Sequence, residues 1–305
     1  MVKRDLLSIQ DVRDDFNEII ELSLRLKRSR YQKQSVVEGR TMGMIFEKPS
    51  TRTRVSLETA IHQLGGNGIY LNPNDMQMGR GETVEDTARV LSGMLDIITY
   101  RAFSSENMRK LAEHSSVPIV NALDDREHPL QLLADFLTIY EKIGKFSGKK
   151  MCYVGDGNNM LNSTLLTCAM TGMDLSVATP KGYEPKKEYV EKAMSIARET
   201  GSKIEISNDP VKAVENANIV STDVWVSMGE EKEKAAKEKA FLPYQVNSKL
   251  TEGADKNFIF MHCLPAHRGL EVTDEVADSV HSVIFQEAEN RLHSSKGAIV
   301  YLLSH

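Results

Sequence analysis

Short, almost wholly apolar runs alternate along the first half of the chain with stretches in which apolar residues recur at helical spacing. The runs are TMGMIF (Thr41–Phe46), GIYL (Gly68–Leu71), DIITYR (Asp96–Arg101) and VPIVNA (Val117–Ala122). Continuous apolar runs of this length predict strands buried on both faces. The intervening periodicity predicts helices over Thr51–Leu64, Thr83–Gly93 and Glu106–Glu113, and a long amphipathic helix over Ser8–Arg30 ahead of the first strand. Strands alternating with helices predict a parallel sheet covered by helices.

The run HPLQLLADFLTIYEKIG (His128–Gly144) reads as one helix ending at a glycine, followed by the polar turn FSGKK. The pattern then restarts. Strands are expected at Lys150–Gly155, Asp174–Thr179, Lys203–Ser207, Asn218–Val224, Phe258–Cys263 and Ser282–Phe285, with a final helix from Gln286 to Ser304. The expected fold class is α/β, with two domains, each a parallel sheet flanked by helices, joined by a connector helix. The boundary falls at residues 144 and 145, giving domains 1–144 and 145–286. Glu230–Lys239, rich in lysine and glutamate with Glu230/Lys234 and Glu233/Lys237 at i,i+4 spacing, reads as a solvated, mobile helix without chemistry.

The 305 residues are long for one domain and ample for two. A net charge of −5 argues against a general nucleic-acid or anionic-membrane surface, so an anion site must be a local pocket. MVKRDLLSIQDVRDDF lacks the apolar core of a signal peptide, and no run is long enough to span a bilayer. Cys152, Cys168 and Cys263 are odd in number and widely spaced, which fits a reduced cytoplasmic protein rather than a disulfide framework or a zinc site.

Candidate chemistry begins at PSTRTR. A helix start presents unpaired N–H groups and the positive end of its dipole. Here Ser50, Thr51 and Thr53 add hydroxyls, Arg52 and Arg54 add guanidinium forks, and Lys48 stands nearby, all suited to phosphate. No GxxxxGK[ST] occurs, so this is not a P-loop. In HPLQ, His128 and Gln131 lie three apart at a helix start and can face one spot; plain capping is the alternative. Cys263, in HCLPAHRG, follows a strand end where open sheets bind ligands; a buried inert thiol and a Cys–His nucleophile remain alternatives. GDGNNM lacks the third glycine of a dinucleotide fingerprint and no acidic residue ends the next strand, which leaves Asn158 and Asn159 as amides at a strand-to-helix turn. Asp223, after NIVST, can accept from a ligand ammonium or be an ordinary surface carboxylate.

Together and in this order, STRTR, Tyr100–Arg101, HPLQ, GDGNN, DVWVSMG, HCLP and EAENR (Glu287–Arg291) resemble the aspartate/ornithine transcarbamoylases across nearly the whole chain, with DVWVSMG and HCLPAHRG resembling the ornithine-using branch. The resemblance implies a first domain that binds carbamoyl phosphate, a second that binds L-ornithine, and a C-terminal crossover helix, 287–305, that packs back onto the first. It implies transfer of the carbamoyl group to the δ-amine of ornithine, giving citrulline and phosphate, as a step of arginine metabolism that a cell can run toward arginine biosynthesis or toward ornithine and carbamoyl phosphate. It implies that Ser50, Thr51, Arg52 and Thr53 hold the phosphate, that Arg101 and His128 contact the carbonyl oxygen, and that Gln131 and the Leu264 carbonyl contact the amino group. Gln77 reaches a neighbouring subunit's site, Arg291 completes the pocket, Asn159, Asp223, Ser227 and Met228 hold ornithine, and Cys263 lies beside both substrates. No metal and no cofactor is implied, and the chain is expected to form a homo-oligomer, a trimer or an assembly of trimers. Leu130 departs from the threonine or cysteine the family often has at the third position of HPxQ.

The chemistry agrees with those roles. A neutral amine attacks a carbonyl while phosphate leaves, so charge grows on the carbonyl oxygen, where Arg101 and His128 form an oxyanion site. Cys263 orients the amine or takes its proton, with the leaving phosphate as competing base. A free α-ammonium opposite Asp223 favours ornithine over putrescine or an acylated ornithine, and Ser227–Gly229 is expected to close over the second substrate. Arg54, two residues from Arg52, faces elsewhere and has Glu58 four residues on.

Overall fold

The four apolar runs of the first half form one parallel sheet of β1 (Thr41–Phe46), β2 (Asn67–Leu71), β3 (Ile97–Arg101) and β4 (Ile119–Asn121), in the order β2-β1-β3-β4. The central strands are the most apolar: β3 is buried throughout and β1 in five of six residues, whereas the edge strand β2 is partly exposed. The structure, a computed structural model, describes residues 3–227, 229 and 231–305. It divides into two units, Met1–Leu137 with Glu289–His305, and Thr138–Ala288.

In the first unit α1 (Phe16–Arg28), α2 (Thr51–Gln63), α3 (Val84–Ser92) and α4 (Ser105–His114) accompany the sheet. Three of them begin where a hydroxyl is available: Ser50, Thr83 and Ser104 accept the N–H groups of Thr53, Asp86 and Glu106. The helix expected over Ser8–Arg30 is broken. Ser8 and Asp11 cap each other across a single 3-10 turn, Ile9–Val12, and Asp15 turns to Arg4 and to the Tyr301 hydroxyl, so α1 starts only at Phe16.

Chain continuity between the units runs through α5 (Pro129–Ile143) and α12 (Ile284–Ser304). The part of α12 from Glu289 onward belongs to the first unit and packs on α1. Lys27 Nζ donates to Asn290 Oδ1 (2.8 Å) and Lys296 Nζ to the Arg30 carbonyl (2.6 Å). A Cβ at Gly297 would lie 2.1 Å from Ser23 Oγ and 3.0 Å from the Ile19 carbonyl, so only glycine permits this approach.

The second unit holds β5 (Lys150–Val154), β6 (Asp174–Ala178), β7 (Ile204–Ser207), β8 (Ile219–Thr222) and β9 (Ile259–His262), all parallel, in the order β7-β6-β5-β8-β9. Its helices are α6 (Asn159–Thr171), α7 (Lys187–Thr200), α8 (Pro210–Val214), α9 (Lys234–Phe241), α10 (Ser248–Thr251) and α11 (Asp274–Ala277). Ser282–Phe285 is not a strand. It makes one isolated bridge, Phe260 to Ser282, and the Val283 carbonyl already takes the Glu287 N–H, so α12 begins at Ile284. Lys234, Ala235, Ala236 and Lys239 of α9 are exposed, as a solvated helix requires, but the helix is not solvated all round. Phe241 packs among Trp225, Tyr183 and Tyr244, and Lys237 is buried. Glu230 lies outside the described residues, and the pair seen on α9 is Lys234–Glu238. Among the described residues, no helix is long and apolar enough to cross a membrane.

Both sheets reverse direction in mid-order. The chain moves from β1 out to β2 and returns to β3 on the other side; likewise it moves from β5 through β6 to β7 and returns to β8. Loops leaving the carboxyl ends of the strands flanking such a reversal open apart and form the ligand crevice of parallel sheets. They are the loops after β1 and β3, which carry Ser50–Thr53 and end at Arg101, and those after β5 and β8, which carry Asp156–Asn159 and Asp223.

Candidate active site

At the reversal of the first sheet, Ser50 is extended (φ −161°, ψ 118°) and caps α2, while Thr51 and Arg52 form its first turn. Thr53 is buried, and its Oγ1 accepts from Arg291 Nη2 (3.0 Å). Arg291 Nη1 donates to Gln131 Oε1, and Gln131 Nε2 donates to Asp135 Oδ1 (2.8 Å). A single guanidinium fork thus ties the start of α2 to the start of α5. Arg101 ends β3, is buried, and has Nη1 3.4 Å from the Ala122 carbonyl.

His128 stands at the start of α5, after a turn shaped by Asp124, whose Oδ1 accepts the N–H groups of Arg126 and Glu127 (2.7 Å each). Burial, then the charges of Arg291 and Arg101, hold the His128 imidazole well below its ordinary range, so the ring is neutral near pH 7. Burial, and then Arg101, also push the Lys48 ammonium down. Gln77 is exposed at the start of a 3-10 turn, Met78–Arg80. Arg54 takes no part in this cluster. It pairs with Glu58 (3.6 Å) and lies 3.8 Å over the Tyr70 ring, as its position two residues along the helix allows.

At the reversal of the second sheet the groups are of another kind. Asp223 is buried, not a surface carboxylate. Its Oδ1 accepts from the Val224 N–H (2.8 Å) and the Cys263 thiol (3.2 Å), and its Oδ2 from Asn158 Nδ2 (2.8 Å). All three of these donors are neutral, so none of them is a counter-charge to the carboxylate. Asn158 Oδ1 in turn caps α6, accepting from Met160 and Leu161, and Asn159 is the first residue of that helix. Ser227 follows on the Asp223 loop; Met228 lies outside the described residues.

Cys263 is part-exposed, unlike the fully buried Cys152 and Cys168, whose thiols burial pushes up. The loop after it is fixed by buried acids. Glu287 Oε2 accepts the His262 N–H (2.9 Å), and Glu271 Oε1 meets His262 Nε2 (3.2 Å) and the His267 N–H (2.5 Å). Since His262 Nδ1 accepts the Leu264 N–H (2.9 Å), the proton of this ring is on Nε2. Leu264 is held with φ 58° before the cis Leu264–Pro265 bond.

Donor atoms of Asp223, His262 and Cys263 all lie within 4.8 Å of one another, a cluster that the spacing of these residues along the chain does not announce. Both ring nitrogens of His262 are already engaged, by Leu264 and by Glu271. The role of Asn158 as donor to Asp223, and the ion pair of Lys237 with Asp156 (2.7 Å), were likewise not legible in sequence, because each partner lies more than sixty residues away.

Fold and side chains define a two-domain α/β protein with one cationic and one carboxylate-centred cluster, each at the reversal point of a parallel sheet. The comparisons with known proteins agree. Residues 4–141 match the family model for the carbamoyl-P binding domain of aspartate/ornithine carbamoyltransferase, and residues 147–302 that for its Asp/Orn binding domain. The catabolic ornithine carbamoyltransferase of Thermoplasma volcanium is 59% identical over 305 residues, covering 100% of both chains. The ornithine carbamoyltransferase of Picrophilus torridus is 59% identical over 303 residues, 99% of this chain and 100% of that one. The solved ornithine carbamoyltransferase of Pyrococcus furiosus superposes with a TM-score of 0.94 at 47% identity, covering 98% of this chain and 96% of that one. The chain belongs to the aspartate/ornithine carbamoyltransferase family.

Proposed function

We propose that the protein is an ornithine carbamoyltransferase, transferring the carbamoyl group of carbamoyl phosphate to the δ-amine of L-ornithine to give L-citrulline and phosphate. The observation that carries this reading is the convergence of Arg101, Arg291 and a neutral His128 beside the capped start of α2. A small, doubly charged phosphate carrying a polar carbonyl suits that set of donors.

Residues 1–144, with the C-terminal helix 287–305, take carbamoyl phosphate, and residues 145–286 take ornithine. The phosphate is bound by Ser50, Thr51, Arg52 and Thr53 at the positive end of α2. Arg101 and the neutral imidazole of His128 donate to the carbonyl oxygen and hold the charge that grows there as the amine attacks. Gln131 and the Leu264 carbonyl receive the carbamoyl amino group, Arg291 holds Gln131 and Thr53 in place, and Gln77 is contributed from a neighbouring copy. Ornithine's α-ammonium is taken by Asp223, with Asn159, Ser227 and Met228 on the rest of the amino-acid end. Cys263 stands beside the δ-amine. The new C–N bond forms as the C–O bond to phosphate breaks, and the amine proton leaves to the departing phosphate, or to Cys263 when that side chain is a thiolate. Bringing the two substrates into line removes the entropic cost of their encounter and supplies much of the acceleration. Relatives named catabolic are among the proteins compared; for this chain we adopt the citrulline-forming direction of arginine biosynthesis, a cytoplasmic location and a homotrimer or assembly of trimers.

The test is citrulline formation from carbamoyl phosphate with a panel of acceptor amines. Ornithine is expected to be carbamoylated; turnover of aspartate or putrescine without ornithine would refute the substrate assignment.

A further inference from the structure

Lys237 is a lysine without a place in the roles above, yet it is among the most buried charged residues of the second unit. Its ammonium lies 2.7 Å from Asp156 Oδ2, and the two side chains are 4% and 8% exposed. The same nitrogen stands 5.8 Å from the centre of the Tyr183 ring. Asp156 is the only charged residue of the turn Gly155–Asn158, which joins β5 to α6. That turn is clamped from several directions. The Asp156 carbonyl accepts the Tyr153 hydroxyl (3.1 Å), and the Gly157 N–H donates to the Tyr183 carbonyl (3.0 Å). A Cβ on Gly157 would lie 2.5 Å from the backbone carbonyl of Glu184, so the turn sits against that strand-following loop with no room for a side chain.

The residue after Gly157 is Asn158, which holds Asp223 Oδ2, and Asn159 follows. Two buried carboxylates therefore adjoin one turn: Asp156 belongs to it, and Asp223 is held by Asn158, two residues further on. They differ in their partners. Asp223 is held by neutral donors, Asp156 by a cation. A buried ion pair offsets much of its own attraction by desolvation, so its net value is often in fixing an arrangement rather than in stability.

We propose that Lys237, through its ion pair with Asp156, is a positioning residue of the ornithine half-site. It rests on the ornithine reading above. Lys237 neutralises Asp156, so that Asp223 is the carboxylate left to a ligand ammonium, and it ties α9, the helix that follows the Ser227 loop, to the turn that presents Asn158 and Asn159.

The experiment is steady-state kinetics in both substrates for the wild type and for K237M, K237R, D156N and the double variant D156N/K237M, with thermal melts alongside. K237M and D156N are each expected to raise the KM for ornithine about tenfold while the KM for carbamoyl phosphate stays within about twofold. K237R keeps the charge and is expected to restore most of the ornithine KM. The double variant is expected to be no worse than the worse single one, because both act through one contact. An unchanged ornithine KM in K237M, an equal rise for both substrates, a lowered melting temperature alone, or effects that multiply in the double variant would each overturn the proposal. Should K237M not fold, the neutral D156N/K237M pair carries the same comparison of the two KM values. A wild type that makes no citrulline overturns the activity and the positioning role together; an active wild type with an unaltered K237M overturns only the second.

Discussion

At the reversal of the first sheet the side chains are cations and neutral donors: the start of α2, Arg101, Arg291 and an imidazole kept neutral by burial and then by its neighbours. At the reversal of the second they are a buried carboxylate, two amides and a thiol. The two sheets share parallel strands and a change of direction in mid-order, so the topology supplies the same crevice twice. What differs is the side chain placed at each strand end. The fold fixes where a ligand goes, and a handful of loop residues decide its charge. The helix starts differ in the same sense. α2 is capped by Ser50, with arginines in and beside its first turn, whereas α6 is capped by Asn158, whose amide is turned toward Asp223.

Substitutions can break this comparison one half at a time. The largest effect is expected from Arg101→Met, which removes the charged donor at the carbonyl oxygen; kcat for citrulline formation should fall by about 10²–10³ with ornithine affinity nearly unchanged. An ornithine KM that rose as steeply as kcat fell would mean that the halves do not have separate ligands. Next comes Asp223→Asn, nearly isosteric and uncharged, which should raise the KM for ornithine by about 30–100-fold and leave that for carbamoyl phosphate alone. Equal effects on both substrates would show that Asp223 shapes the protein rather than binding the ammonium.

Cys263→Ser keeps a donor toward Asp223 and should lower kcat by only about tenfold, less than the roughly 10²–10⁴-fold that a general acid or base contributes. Loss of nearly all activity, with a covalent adduct trapped on the wild type, would instead make Cys263 a nucleophile. The smallest effect concerns stability in the first unit alone. Burial pushes the His293 imidazole down to about 4 despite its contact with Glu289. The unfolded chain takes this proton near its ordinary value of about 6.5 and the folded one does not, so stability is full above about 6.5 and is lost as pH falls toward 4. His128 acts in the same direction. His293→Gln should therefore flatten the decline of Tm between those pH values; an unchanged slope would remove His293 as a source of acid lability.

Much of this was legible in the linear chain, for identifiable reasons. Strand runs such as TMGMIF are buried on both faces, so their apolarity is continuous and their ends shift by only a residue or so between pattern and structure. Helix starts at Ser50, Thr83 and Ser104 follow from hydroxyls beside polar first turns. Errors came where distant groups compete for local ones. Asp15 is drawn to Tyr301, which cuts the first helix short, and the Ser282–Phe285 run has strand-like residues but enters α12 instead. Lys237 was the instructive misreading. Its i,i+4 spacing to Glu233 describes a solvated helix equally well, and only Asp156, eighty-one positions away, makes it a buried ion pair.

Sequence by itself determined the α/β alternation, the helix caps, the placing of PSTRTR at a helix start and the family resemblance carried by seven motifs in order. These are properties of neighbouring residues, and local sterics and hydrogen bonding act over a few positions. Tertiary structure alone decided which carboxylate was left with neutral donors and which was given a cation, that a buried His128 stays neutral, and that Arg291 bridges Thr53 and Gln131. Charge and proton affinity depend on burial and on groups within a few ångströms, and those neighbours are chosen by the packing of the sheet, not by their order along the chain.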